Sequence, residues 1–375
     1  MPSLNCLFVV QGEGRGHLTQ ALALRAMLSE AGHHVSAVLV GRPPDRRLPG
    51  FFVRKIGAPV QCFDSPGFAL DARRRGVQPG ATLLHNLRRA GAFREGLARL
   101  DAAVRRHRPD VIVNFFEPLT ALYTRLYRPR VPVVCIAHQY MFHHPAYPFP
   151  PGFGLQRTLL RAYTDGTAAG AARRLALSLY PADDLPARRL TVMPPLLRPE
   201  VFRLPDGLEE PFLLVYVLNS GYADALVAWH ERHPEVRLHC FWDHPDAEDV
   251  LAYDDTLTFH PLDDEKFLGM MARCRGLACT AGFESVCEAL YLGKPVLMVP
   301  VEGHFEQRCN ALDAEALGAG RYSPHFNLDR LLAYLPHHHP PTARFRAWVD
   351  SARPRFVAAI EAAVRAAAPP LVPVA

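Results

Sequence analysis

Apolar residues along the chain follow two alternating rhythms. Short unbroken runs rich in Val, Leu, Ile and Phe read as buried strands. Between them lie longer stretches whose apolar positions recur every three to four residues, the period of a helix face. The first apolar run, residues 4–10, enters a glycine loop, Gln11-Gly-Glu-Gly-Arg-Gly-His17. A helix is expected over 17–31 with Gly32 as its stop, followed by a strand over 35–40. An arginine-rich helical stretch over 83–107 precedes strands at 111–113 and 131–136. A second cycle opens at 212–218 and runs into Asn219-Ser-Gly221, with strands expected at 237–241, 256–259, 276–280 and 296–299. Strands that read as continuous apolar runs, separated by helices, predict α/β architecture: parallel sheets covered on both faces.

Length divides this pattern in two. A chain of 375 residues exceeds one typical core. The proline-rich stretch from Met193 through Pro211 marks the junction. The expected organisation is a first Rossmann-like domain over 1–195, a linker over 196–210, a second domain over 211–342, a terminal helix over 343–368 and a loose tail over 369–375. Composition is that of a globular protein, 49% hydrophobic and 21% charged, with no apolar run long enough for a membrane span. No signal peptide is evident at the amino terminus. Eight scattered cysteines without CxxC spacing suggest neither zinc nor a disulfide framework, and fit a reducing cytosol. A net charge of +5 is far from a nucleic-acid-binding profile. Arginine clusters at Arg73-Arg74-Arg75, Arg88-Arg89 and Arg105-Arg106 read as solvated helix faces, with anionic lipid or phosphate as the alternative.

The chemistry concentrates in Cys279-Thr-Ala-Gly-Phe-Glu-Ser-Val-Cys-Glu288 and in His304-Phe-Glu-Gln307. Gly282 permits close backbone approach at a strand-to-helix turn. Ser285 caps that helix or binds at its N-terminus, where free N–H groups and the helix dipole favour a phosphate. Glu288 lies three residues further, about 4.5 Å along the axis on nearly the same face. There a carboxylate can accept two ribose hydroxyls. The alternative is an ordinary βαβ unit with Glu288 solvated. The first glycine loop departs from the dinucleotide fingerprint: glycines stand at 12, 14 and 16, His17 occupies the third fingerprint position, and no acid closes the second strand. A dehydrogenase is therefore disfavoured. His17 opens a helix, which keeps its imidazole neutral and able to take a proton; capping or phosphate contact is the competing role. The acidic pairs Asp183-Asp184, Asp254-Asp255 and Asp263-Asp264 form no DxD motif and read as turn and cap residues. His143-His144 and His337-His338-His339 have no partners at ligand spacing and read as exposed loop histidines.

Taken together, Gly12-Glu-Gly-Arg-Gly-His17, Asn219-Ser-Gly221, Ala281-Gly282 with Ser285 and Glu288, Gly293-Lys-Pro295, and Glu306-Gln307 with Asn310-Ala311 resemble the GT-B glycosyltransferases. Peptidoglycan N-acetylglucosaminyl transferases and related bacterial sugar transferases are similar. The likeness is strongest over residues 274–318. It implies two Rossmann-like domains facing a cleft, a terminal helix crossing back onto the first, and a nucleotide-diphosphate sugar, a UDP-sugar, as donor. By the same resemblance His17 is the general base. Gly14, Gly16, Ser220, Gly221, Gly282 and Ser285 hold the diphosphate, and Glu288 holds the ribose. Glu306 and Gln307 bind the sugar, and Leu262 lies at the base. Glu117, His138 and Gln139, which follow strand ends, are acceptor-side candidates. No cofactor and no metal are implied. The acceptor is a hydroxyl compound, lipid-linked or a secondary metabolite, and the location cytoplasmic, peripheral at the inner membrane face for a lipid-linked acceptor. A nucleotide-sugar 2-epimerase and a non-catalytic nucleotide-sugar-binding protein remain as alternatives.

Overall fold

The computed structural model describes residues 2–44, 47–66, 89–205, 207, 209–217, 222–242 and 250–367. Ser220, Gly221, the clusters at 73–75 and Arg88, and the tail from 368 lie outside these residues.

Two seven-stranded sheets form the frame. In the first, β1 (Asn5–Gln11), β2 (His34–Arg42), β3 (Val60–Asp64), β4 (Val111–Phe115), β5 (Val133–Ala137), β6 (Arg173–Leu177) and β7 (Leu190–Met193) run in the order β3-β2-β1-β4-β5-β6-β7, all parallel. The second contains β8 (Phe212–Val217), β9 (Arg237–Trp242), β10 (Leu251–Ala252), β11 (Leu257–Pro261), β12 (Gly276–Cys279), β13 (Val296–Met298) and β14 (Gly320–Tyr322). Their order is β10-β11-β9-β8-β12-β13-β14, and only the short edge strand β10 is antiparallel. The carboxyl ends of β1 and β4, and of β8 and β12, are topological switch points, where connections leave in opposite directions and open a crevice.

The strands are buried on both faces, and their pleat sorts the side chains. In β1, Cys6, Phe8 and Val10 enter one apolar core while Leu7 and Val9 enter the other. In β8, Phe212 and Leu214 enter one core while Leu213, Val215 and Val217 enter the other. This period-two sorting of an apolar run is what a sheet covered on both faces requires. The segment leaving β7 is not a free linker: Leu196 packs into the first sheet's core, and Leu197 and Val201 pack into the second's. The expected terminal helix is two helices, Thr342–Asp350 and Ala352–Ala367. Phe345 and Val349 of the former pack with the second sheet, whereas Phe356, Ile360 and Ala363 of the latter pack with the first. A break at Ser351 lets two adjacent helices serve different cores.

Candidate active site

The loops leaving β1 and β4 and the turn leaving β12 converge between the sheets. Gly12 makes the first of them possible. Its N–H donates to Gly41 O at 2.7 Å, and a Cβ there would come within 2.5 Å of Val40 Cγ1. The helix Gly16–Glu30 then starts with no side-chain cap on its first turn, and His17 sits on that turn. Its Nδ1 lies 3.1 Å from Gln20 Oε1. Its ring stacks on Phe116, 5.7 Å between centroids at 28°. Phe116 follows β4 and adopts φ 56°, a conformation costly for an aromatic residue and therefore suggestive of a fixed role. Burial holds His17 neutral, its pKa lowered to about 4 against a smaller upward pull from Gln20. Gly14 is exposed with open space about it, whereas a Cβ on Gly16 would stand 3.2 Å from Glu284 Cγ.

Across the crevice, the helix Phe283–Tyr291 begins after β12 with Gly282 at its N-cap and no side-chain cap. Ser285 is thus three residues into the helix, not its cap. Gly282 has φ −75° and room for a Cβ, its nearest neighbour being Thr280 O at 3.6 Å. Glu284 reaches over to the first domain, where Gln20 Nε2 donates to its Oε1 at 2.5 Å. Burial raises the Glu284 pKa to about 8. Glu288 is not solvated. It is 2% exposed and takes a bidentate ion pair from Arg198, at 2.6 Å from Nε and 2.7 Å from Nη2. Its two oxygens are therefore both engaged by the segment that joins the sheets.

The acceptor-side candidates divide. Glu117 is fully buried and faces the interior of its own domain. Its Oε2 caps the helix Pro118–Tyr127 through Thr120 N at 3.0 Å, and its Oε1 accepts from Ser65 Oγ. Burial pushes its pKa up to about 7. The structure thus gives the carboxylate a local role, in capping and in holding Ser65. His138 is likewise occupied, bridging the two domains. Nδ1 meets Leu177 O at 2.8 Å, Nε2 meets the Asn310 side chain at 3.1 Å, and the ring stacks on Phe283 at 3.9 Å. Gln139 is buried and reaches the second domain. Its Nε2 donates to Glu306 Oε1 at 2.9 Å, while its buried Oε1 has no partner. Glu306 is half-buried, and burial raises its pKa to about 7. Gln307 turns away to its own loop, its Oε1 accepting from Val301 N at 2.8 Å. Leu262 packs half-buried against the second domain's core just after β11.

Several participants carried weak signals in the sequence. Glu284 stands inside the segment singled out above, yet only its contact with Gln20, 264 positions away, reveals its place. Tyr163 lies 5.8 Å from Phe116, on the helix Gly154–Thr167, whose exposed Leu155 and Leu159 continue the same face. The acidic pairs take turn and cap positions: Asp184 accepts from Val192 N, Asp254 from Thr256 N and Leu257 N, and Asp263 from Glu265 N and Lys266 N. His143 and His144 are buried rather than exposed. Among the described residues no group of three His, Cys, Asp or Glu side chains comes together as a metal-ligand set, and no helix is long and apolar enough to cross a membrane.

Two parallel, doubly covered sheets with their switch points facing one crevice define the GT-B glycosyltransferase fold. The chain belongs to glycosyl transferase family 1, whose family model matches residues 4–337. It is an enzyme of sugar transfer. Among solved structures it is similar to the calicheamicin glycosyltransferase CalG4, with a TM-score of 0.61 and 16% identity over 98% of this chain and 100% of that one. An Arabidopsis thaliana glycosyltransferase, UGT89C1, complexed with quercetin gives 0.63 and 13% over 97% and 99%. MurG of Acinetobacter baumannii gives 0.51 and 18% over 96% and 100%. No curated protein sequence matches the chain.

Proposed function

We propose that this glycosyltransferase moves a sugar from a nucleoside-diphosphate donor, a UDP-sugar, to a hydroxyl acceptor by a single inverting displacement without a metal ion. The observation that carries this reading is His17. It is a neutral imidazole on an uncapped helix turn, enclosed by the cleft and stacked on a strained Phe116. Such a group takes the acceptor proton as the anomeric carbon is attacked, a role worth about 10² to 10⁴-fold in rate. The uncapped turns beginning at Gly16 and Gly282 present backbone N–H groups to the departing diphosphate, with Gly14 and Ser285 beside them; the family resemblance adds Ser220 and Gly221 to this role. Glu288 binds the ribose once Arg198 is displaced, and Leu262 lies toward the base. Glu306 binds the sugar together with Gln139, whose unpartnered Oε1 supplies an acceptor for a sugar hydroxyl. Leu155, Leu159 and Tyr163 present an exposed apolar face for the acceptor, which favours an aromatic or otherwise apolar hydroxyl compound. UGT89C1, solved with quercetin and with UDP-L-rhamnose, is consistent with that chemistry.

A thermal-shift series with UDP, GDP, dTDP and their sugars tests the donor, because a ligand of the folded state raises its stability according to affinity. UDP compounds are expected to shift the melting temperature most. Turnover by His17→Ala should fall by about 10² to 10⁴-fold, with the UDP shift retained and the product anomer inverted in the wild type. Undiminished turnover by His17→Ala, or a retained anomer, would discard the mechanism.

A further inference from the structure

His17 does not stand alone. Its Nδ1 contacts Gln20 Oε1 at 3.1 Å, and Gln20 Nε2 contacts Glu284 Oε1 at 2.5 Å. His17 and Gln20 are one turn apart on a helix of the first domain, whereas Glu284 belongs to the second domain. Gln20 is 3% exposed. A buried amide held between two partners has only two orientations, and they impose opposite polarities on the chain. In the structure the Gln20 NH2 points toward Glu284, whose Oε1 accepts from it when ionised and also when the proton sits on the other carboxyl oxygen. The Gln20 carbonyl oxygen then faces His17 and can only accept. The imidazole must place its proton on Nδ1, which leaves the Nε2 lone pair unprotonated. The tautomer of a histidine follows the hydrogen bond made by its other nitrogen. Gly16 belongs to the same device, since a side chain there would press on the Glu284 stem at 3.2 Å.

We propose that Gln20 and Glu284 are positioning residues that set the His17 tautomer, so that the second domain completes the base only when it closes on the first. Neither residue touches the reacting atoms. Without an acceptor at position 284 the Gln20 amide is free to turn, its NH2 faces Nδ1, and the proton moves to Nε2, the wrong nitrogen for a base. The catalytic meaning of this arrangement rests on the reading of His17 as base, but the tautomer itself does not.

The tautomer can be read without substrate. Long-range ¹H–¹⁵N spectra of full-length protein labelled with ¹⁵N-histidine, with His17 assigned through His17→Gln, distinguish Nδ1–H from Nε2–H. The groups around Glu284 are Glu288 on its own helix, Arg198 on the joining segment, and Gln20 and His17 opposite; spectra at pH 7 and pH 9 bracket its titration. Wild type should show the Nδ1–H form at both. Glu284→Met, which keeps length but removes the acceptor, should shift most of the His17 population to Nε2–H. Gln20→Glu in that background should restore Nδ1–H, because a carboxylate at position 20 can only accept. If Glu284→Met does not fold, Glu284→Asp, one methylene short of Gln20, takes its place. An Nε2–H wild type, or a tautomer indifferent to position 284, overturns the proposal and leaves the His17→Ala test of the base untouched.

Discussion

Residues in this cleft that look alike in the sequence perform different work, and substitutions separate them. Gly12 and Gly282 both lie in turns that leave a strand, but only Gly12 lacks space for a side chain. Gly12→Ala should cost about 1 to 3 kcal/mol through overpacking against Val40, measured by urea unfolding. Gly282→Ala should unfold like the wild type and lose UDP-induced thermal shift, because a methyl there would meet only a ligand. An equal loss of stability in both would contradict the distinction. Glu288 and Arg198 form a buried bidentate pair. Removing one partner leaves a buried unpaired charge, so Glu288→Ala should lose about 3 to 5 kcal/mol. Arg198→Met combined with Glu288→Leu should recover most of that. Wild-type stability in Glu288→Ala would show that the pair contributes nothing. At this scale the sequence was legible where chemistry is local: His17 at a helix start and Asp263 as a cap. It did not reveal the partners of Glu117 and Glu288, since Ser65 and Arg198 lie far along the chain.

At the level of elements, strand positions followed the apolar runs closely, because a strand buried on both faces needs little but continuous hydrophobicity. The carboxyl-terminal helix did not keep its expected continuity. Its apolar positions persist across Ser351, so the periodic signal is unbroken while the packing partner changes. The Ala352–Ala367 helix therefore contributes to the first domain's core. Phe356 and Ile360 are fully buried there, and Phe356→Ala should destabilise by about 3 to 5 kcal/mol. Arg353, paired with Glu30 on the surface at 2.6 Å, should lose no more than about 1 kcal/mol on replacement by Ala. Chemical denaturation of the two variants checks the contrast; comparable losses would place the helix outside the core.

For the whole molecule, three contacts between domains set an uncharged donor against a carboxyl group, beside the ion pair of Lys55 with Asp264. Gln20 meets Glu284, Gln139 meets Glu306, and Tyr180 meets Asp313 at 2.9 Å. Burial raises these carboxyls, Glu284 to about 8 and Glu306 and Asp313 to about 7. The native state thus keeps protons that the unfolded chain has already released, and its stability falls as pH rises through those values. His17 and His138 shift oppositely, down to about 4 through burial, so their contribution is lost as pH falls from about 6.5 toward 4. Above pH 6.5 only the carboxyl effect remains of the two. The melting temperature should decline from pH 6.5 to 8.5, and less steeply in Glu284→Gln and Glu306→Gln. A flat profile in the wild type would refute this account.

The sequence by itself determined the architecture and the family of chemistry, because buried parallel strands, glycine turns and helix starts are written in neighbouring residues. Tertiary structure alone decided which side chains are available to a ligand. Whether a carboxylate caps a helix, pairs with a distant arginine or orients a histidine through an amide depends on contacts between residues far apart in the chain. Those contacts form when two separately built sheets bring their switch points together. No periodicity or spacing within either half encodes that meeting.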